Sequence, residues 1–199
     1  MVNIYKLKFT ILQQEILRLL FAKAGIQLNQ RQIAKALSVS QPAVKKAIPK
    51  LEKDGLIKIK KDKESKRWAI ELNSDNYRAM QLKRADNLKL IYETGLFDFI
   101  EKEFVGAAII LFGSYSRGED TINSDIDLAI IGRKEKDIDL TKYEKEFERK
   151  VNINFYESFD KIHKNLKENL FNGIVLVGGI ELWKNLMIFL REVLNYERI

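Results

Sequence analysis

Two helix patterns stand with only Ser38 and Val39 between them, and that spacer limits what the surrounding segment can fold into. Asn29 is a capping residue for Gln30 to Leu37, and Ser40 caps a further helix with Pro42 in its first turn, where a missing N–H costs little. So short a joint makes the two helices cross, with Ile33, Leu37, Val39, Val44 and Ala47 facing inward and small Ala34 at the crossing. Upstream, Thr10 caps a helix with an apolar face of Ile11, Ile16, Leu19 and Leu20, and Gly25 stops it. After Gly55 the period changes to two. Leu56-Ile57-Lys58-Ile59-Lys60, a charged turn over 61–66 and Arg67-Trp68-Ala69-Ile70-Glu71-Leu72 together read as a hairpin. Pro49 removes a backbone donor inside the second helix, so a kink or a restart near Lys50 is expected.

On these residues, and especially the run SVSQPAVKKAIPKLEKDGLI, the segment Asn29 to Leu72 resembles the winged helix-turn-helix of bacterial and archaeal transcription regulators. Charge points the same way. Met1 to Asp75 holds 16 Lys+Arg against 7 Asp+Glu, or +9, whereas the remainder holds 19 against 21, or −2, which together make the net +7. Ser40, Gln41, Lys45 and Lys46 are placed to enter a major groove, and Lys61, Lys63, Lys66 and Arg67 at the hairpin tip to sit on phosphates. Double-stranded DNA is the expected partner, against the plainer reading of a solvated lysine face.

The polar cluster Leu72-Asn73-Ser74-Asp75-Asn76 reads as a boundary, giving a first domain over 1–75 and a second over 76–199, with connecting helices over 76–104. Asn76 to Tyr92 patterns as a helix through Met80, Leu82 or Ala85, Leu88 and Ile91; after Gly95 a second helix carries Leu96, Phe99, Ile100 and Phe104. Both read as helices covering a sheet, a dimer arm being the other reading.

From Val105 the text becomes AAIILFGSYSRGEDTINSDIDLAIIG. A strand from Ala107 to Phe112 runs into Gly113-Ser114. A second strand alternates so that Asp125 and Asp127 share one face. Two adjacent carboxylates repel unless a cation or proton lies between them, so oxygen ligation of Mg2+ (or Mn2+) is one natural outcome. Gly113 allows close backbone approach, Ser114 and the following N–H groups can hold phosphate, Arg117 can add a charge-assisted contact, and Ser124 flanks the acids.

Phe112-Gly113-Ser114, ten residues, then Asp125-Ile126-Asp127-Leu128 resembles the signature of the DNA polymerase beta nucleotidyltransferase superfamily, in particular its minimal nucleotidyltransferase branch. The resemblance implies transfer of a nucleotidyl group from a Mg-bound NTP, ATP first among candidates, with Gly113 and Ser114 on the triphosphate and Asp125 and Asp127 on the metals. It also implies a third carboxylate on the next strand. Here Val151-Asn152-Ile153-Asn154-Phe155-Tyr156, after a helix from Leu140 to Arg149, puts Asn152, or otherwise Asn154, in that place. An amide ligates Mg2+ weakly and cannot take a proton; Glu157 could substitute only if the backbone bends.

The expected fold class is therefore α+β, a winged helix-turn-helix followed by an α/β nucleotidyltransferase fold with a small mixed sheet. Three functions compete: a DNA-binding protein that binds Mg-NTP and modifies a protein or small molecule, a regulator with a catalytically degenerate nucleotide-sensing domain, and an antitoxin-type nucleotidyltransferase. The absence of cysteine excludes disulfides and thiolate sites, and fits a cytoplasmic chain. The single histidine, His163, in an expected helix from Phe159 to Leu170, reads as surface or packing, and Trp183, Phe189 and Leu190 as core. Gly173 to Gly179 reads as a short buried strand and turn rather than a phosphate loop. No apolar window reaches membrane-spanning length and no leader is expected; a homodimer is.

Overall fold

The computed structural model describes residues 8–61 and 68–179. Lys63, Lys66, Arg67, Trp183, Phe189 and Leu190 lie outside the described residues. The N-terminal part has three helices, α1 (Ile11–Ala22), α2 (Gln30–Ala36) and α3 (Gln41–Lys53), then an antiparallel hairpin of β1 (Ile57–Lys61) and β2 (Trp68–Leu72). Their starts follow the capping residues. Thr10 with Gln13 and Asn29 with Gln32 form reciprocal capping boxes, and Ser40 Oγ accepts from Ala43 N at 3.3 Å. Ser38, in the left-handed region at φ 53°, makes the turn, and Val39 N closes it on Ala34 O.

Ile16, Leu20, Ile33, Val44, Ile48, Leu51, Leu56 and Ile70 form one core, all of them buried. Gln13 is buried as well and ties α1 to α3 by donating from Nε2 to Ala47 O at 3.1 Å. Two details differ from expectation. Helix α3 does not restart near Lys50 but continues as one element through Pro49, because Ile48 and Leu51 on either side are fully buried and one lost backbone bond costs less than unpacking them. Ile11 is 70% exposed, so the buried face of α1 starts at Gln13.

Helix α4 (Tyr77–Glu93) places Ala79 in the first core and Ile91 in a second. The second core lies under one face of a four-stranded sheet, and α5 (Leu96–Glu103) and α7 (Thr141–Phe147) contribute Leu96, Ile100 and Tyr143 to it. Strand order is β5-β4-β3-β6, with β3 (Ala108–Phe112) antiparallel to β4 (Ile126–Ile131) and to β6 (Ile174–Val177), and β5 (Val151–Tyr156) parallel to β4. Ile109, Leu111, Ile126, Leu128 and Ile130 face this core; Ile110, Phe112, Ala129 and Ile131 face the opposite side, which α8 (Lys164–Phe171) covers with Leu170. The sheet is mixed, as expected. The expected helix over Phe159 to Leu170 is instead a 3-10 turn, Phe159–Lys161, followed by α8, with His163 at the α8 N-cap position.

The buried side of α4 differs from the expected apolar stripe. It runs Ala79, Lys83, Asn87, Ile91, whereas Met80, Leu82 and Leu88 are half-buried and Ala85 is exposed. Lys83 is fully buried and ion-paired with Asp120, itself buried in the loop between the short helix α6 (Gly113–Arg117) and β4. Asn87 Nδ2 donates to the same carboxylate at 2.7 Å and to Tyr115 O at 2.9 Å, and the Arg149 guanidinium lies 3.1 Å from its other oxygen. Desolvation lowers the Lys83 ammonium from its ordinary range, and Asp120 opposes that shift. Asp120→Ala would leave two buried cations without their partner. Urea denaturation of that variant is expected to show a loss of roughly 3 to 5 kcal/mol.

Candidate nucleotide site and DNA-facing surface

The end of β3 and the start of β4 are paired Phe112 to Asp127, so the chain leaving β3 at Gly113 passes directly beside the Asp127 side chain. Gly113 has φ +73°, and a Cβ there would stand 2.5 Å from Asp127 Oδ2. Both facts require glycine. Helix α6 begins at once, with Ser114 half-buried and Ser116 Oγ donating back to Gly113 O at 2.9 Å.

Parallel pairing of β4 with β5 sets Asp127 opposite Asn152. Asp125 is exposed and precedes β4 by one residue, so it is not itself a strand residue as expected, although it lies on the same side of the chain as Asp127. Asn152 Nδ2 donates to Asp125 Oδ2 at 3.1 Å and to Asp127 Oδ1 at 3.3 Å. Two carboxylate oxygens thus converge on one point, where an amide supplies the positive partner. Asn154 pairs with Ala129, further along the sheet, and Glu157 lies past the strand end in an ion pair with Lys161. No cluster of three His, Cys, Asp or Glu side chains suited to a metal occurs among the described residues.

The remaining residues expected at the nucleotide are distributed around this point. Arg117 is half-buried and held by Glu119, its Nε 2.7 Å from the carboxylate. Ser124 Oγ accepts from Thr121 N at 3.0 Å, closing the turn that delivers Asp125. An open groove of about 490 Å3 runs from Asp125 along α7, lined by Asn123, Ser124, Thr141, Lys145 and Lys150 among others. Sequence reasoning misses Lys145 and Lys150. No local motif marks them, since they come from α7 and the turn after it.

On the N-terminal part, Ser40, Gln41, Lys45 and Lys46 are all exposed on the first turns of α3, Ser40 also serving as cap. Lys61, at the end of β1, is exposed and stacks over Trp68 at 5.1 Å from the ring centre.

Residues 94–179 match a family model described as nucleotidyltransferase domain, and residues 9–58 one described as winged helix-turn-helix DNA-binding. The chain joins a winged helix-turn-helix to a nucleotidyltransferase domain. The paired acids and Gly113 all fall inside the nucleotidyltransferase match, and α1 to β1 span the winged helix-turn-helix match. Solved structures with local likeness include the adhesin competence repressor AdcR of Streptococcus pyogenes, 28% identical over 49% of this chain and 69% of that one, with a TM-score of 0.38. The S. aureus MepR–DNA complex is 24% identical over 48% and 77%, at 0.36. The zinc-responsive MarR family member ZitR of Lactococcus lactis is 22% identical over 51% and 67%, at 0.38. No curated protein matches.

Because Gly113 is both left-handed and in contact range of Asp127, Gly113→Ala is expected to cost at least about 1 to 2 kcal/mol in urea denaturation and to displace the Asp127 carboxylate in a crystal structure of the variant.

Proposed function

We propose that this chain is a DNA-binding regulator whose nucleotidyltransferase domain binds a Mg-NTP without turning it over efficiently. The observation that carries the reading is the placement of Asn152 opposite Asp127, with its amide bonded to both site carboxylates. The donor set suits a hard cation: Asp125 Oδ2 and Asp127 Oδ1 converge, and both are oxygen donors. Asp125 and Asp127 would hold Mg2+, with Asn152 able to add only its carbonyl oxygen; Gly113 and Ser114 would lie against the triphosphate. Bound Mg2+ supplies charge neutralisation at the phosphates. Accepting a proton from an attacking hydroxyl is a separate task. An asparagine side chain has no group for it.

Transfer to a protein or small molecule is the second reading, favoured by the intact Gly113 and Asp127 apposition. Titration of Mg2+ and ATP is expected to show saturable binding that Asp125→Ala/Asp127→Ala reduces at least tenfold; unchanged binding overturns the metal site. With labelled ATP the wild type is expected to label neither itself nor proteins of its host lysate. Labelling by the wild type would overturn the regulator reading in favour of transfer, and Asn152→Asp should then raise it.

For DNA, the exposed cations at the start of α3 and the +9 charge of Met1 to Asp75 support duplex binding. Affinity is expected to fall steeply with salt, and the log–log slope should shrink by about 1 for each phosphate that Lys45→Gln/Lys46→Gln no longer neutralises. A flat salt response removes the DNA reading.

A further inference from the structure

A cavity of about 310 Å3 lies between the two halves of the chain, away from Asp125 and Asp127. Arg18 and Ala22 of α1 form one wall, Asp86, Asn87 and Leu90 of α4 a second, and Tyr115 and Phe147 an aromatic corner with ring centres 6.3 Å apart. Its volume falls at the lower end of small-ligand pockets, roughly 300 to 1,000 Å3.

The charges of the lining are unequally matched. Arg18 is paired with Glu93 at 2.5 Å, and Arg149 with Asp120 at 3.1 Å. Among the described residues, Asp86 and Glu146 have no ion-pair partner. One carboxylate oxygen of Asp86 is buried without any hydrogen-bond partner, and burial raises its carboxyl above the ordinary range. Glu146 is exposed at the rim. Arg18, Lys89 and Lys83 act on Asp86 through their charge but none pairs with it, and a half-buried carboxylate without a contact partner, next to apolar and aromatic surface, is the chemistry that selects a cation carrying an apolar body.

We propose that this cavity binds a small organic cation, its ammonium on Asp86 and its apolar part against Leu90, Tyr115 and Phe147. Glu146 at the mouth adds attraction for the same charge. The site is independent of the nucleotide reading. Because Arg18 and Ala22 belong to α1, a ligand here touches the winged helix-turn-helix and the nucleotidyltransferase domain together.

The test is calorimetric titration of the full chain with benzylamine, with benzyl alcohol and benzoate as neutral and anionic probes of the same shape. Benzylamine is expected to bind saturably, and the other two at least tenfold more weakly. Asp86→Asn, a change of equal shape that removes a poorly solvated charge, should fold and weaken benzylamine at least tenfold; Glu146→Gln, on the surface, should weaken it about two- to fivefold. Asp125→Ala/Asp127→Ala should leave it unchanged. Equal binding of benzylamine and benzyl alcohol, no saturable binding, full retention in Asp86→Asn, or loss in Asp125→Ala/Asp127→Ala would each overturn the proposal.

Discussion

The carboxylate of Asp120 is the constraint on which the placement of the other parts depends. It is buried, and it receives Lys83 and Asn87 from α4 and Arg149 from the turn before β5. Arg149 in turn donates from Nη1 to Thr121 O and Ser124 O and from Nη2 to Ala22 O. The residues just before Asp125 therefore owe their path to a guanidinium that Asp120 holds in place. Through Ala22 O, and through Ile122 N bonded to Ala24 O at 3.1 Å, the same cluster fixes α1 against the nucleotidyltransferase domain.

Hydrophobic residues in those positions would avoid the desolvation cost of burying three charges, and such replacements are often neutral or better for stability. They would not supply donors to the carbonyls of Thr121, Ser124 and Ala22, which Arg149 gathers where the two halves meet. An irregular loop at a packed junction needs donors with reach and several N–H groups, and arginine has five. The charge that accompanies those donors then has to be balanced inside the protein, which is the role left to Asp120.

Much of the fold was legible because it follows from local rules. The caps at Thr10, Asn29 and Ser40 start their helices, and the period-two runs after Gly55 become β1 and β2. The candidate site was legible through the resemblance carried by Phe112-Gly113-Ser114 and Asp125-Ile126-Asp127, and the register of β3, β4 and β5 then sets Gly113, Asp127 and Asn152 side by side and Asn154 further along. What failed was non-local. Lys83 has the composition of a surface residue, and only Asp120, 37 positions later, makes its burial tolerable. Pro49 reads as a break, but the burial of Ile48 and Leu51 carries α3 past it. Lys145 and Lys150 come to line the same groove as Asp125 only after β4 and β5 have paired.

Asn152 changes the electrostatics of the site as well as its chemistry. Three carboxylates converging on one point would repel strongly until a cation arrived, so a site of that kind would be strained or partly protonated without metal. With an amide in the third place, two donated hydrogens already sit between Asp125 and Asp127, and the pair is satisfied by the protein's own groups. A cation must displace those hydrogen bonds, which lowers its affinity relative to a three-carboxylate site. On the proposed reading, the free site is already satisfied by its own groups, so occupancy would follow the concentration of Mg-NTP. A regulator could use that dependence, because Arg149 and Ala22 join the domain to the winged helix-turn-helix.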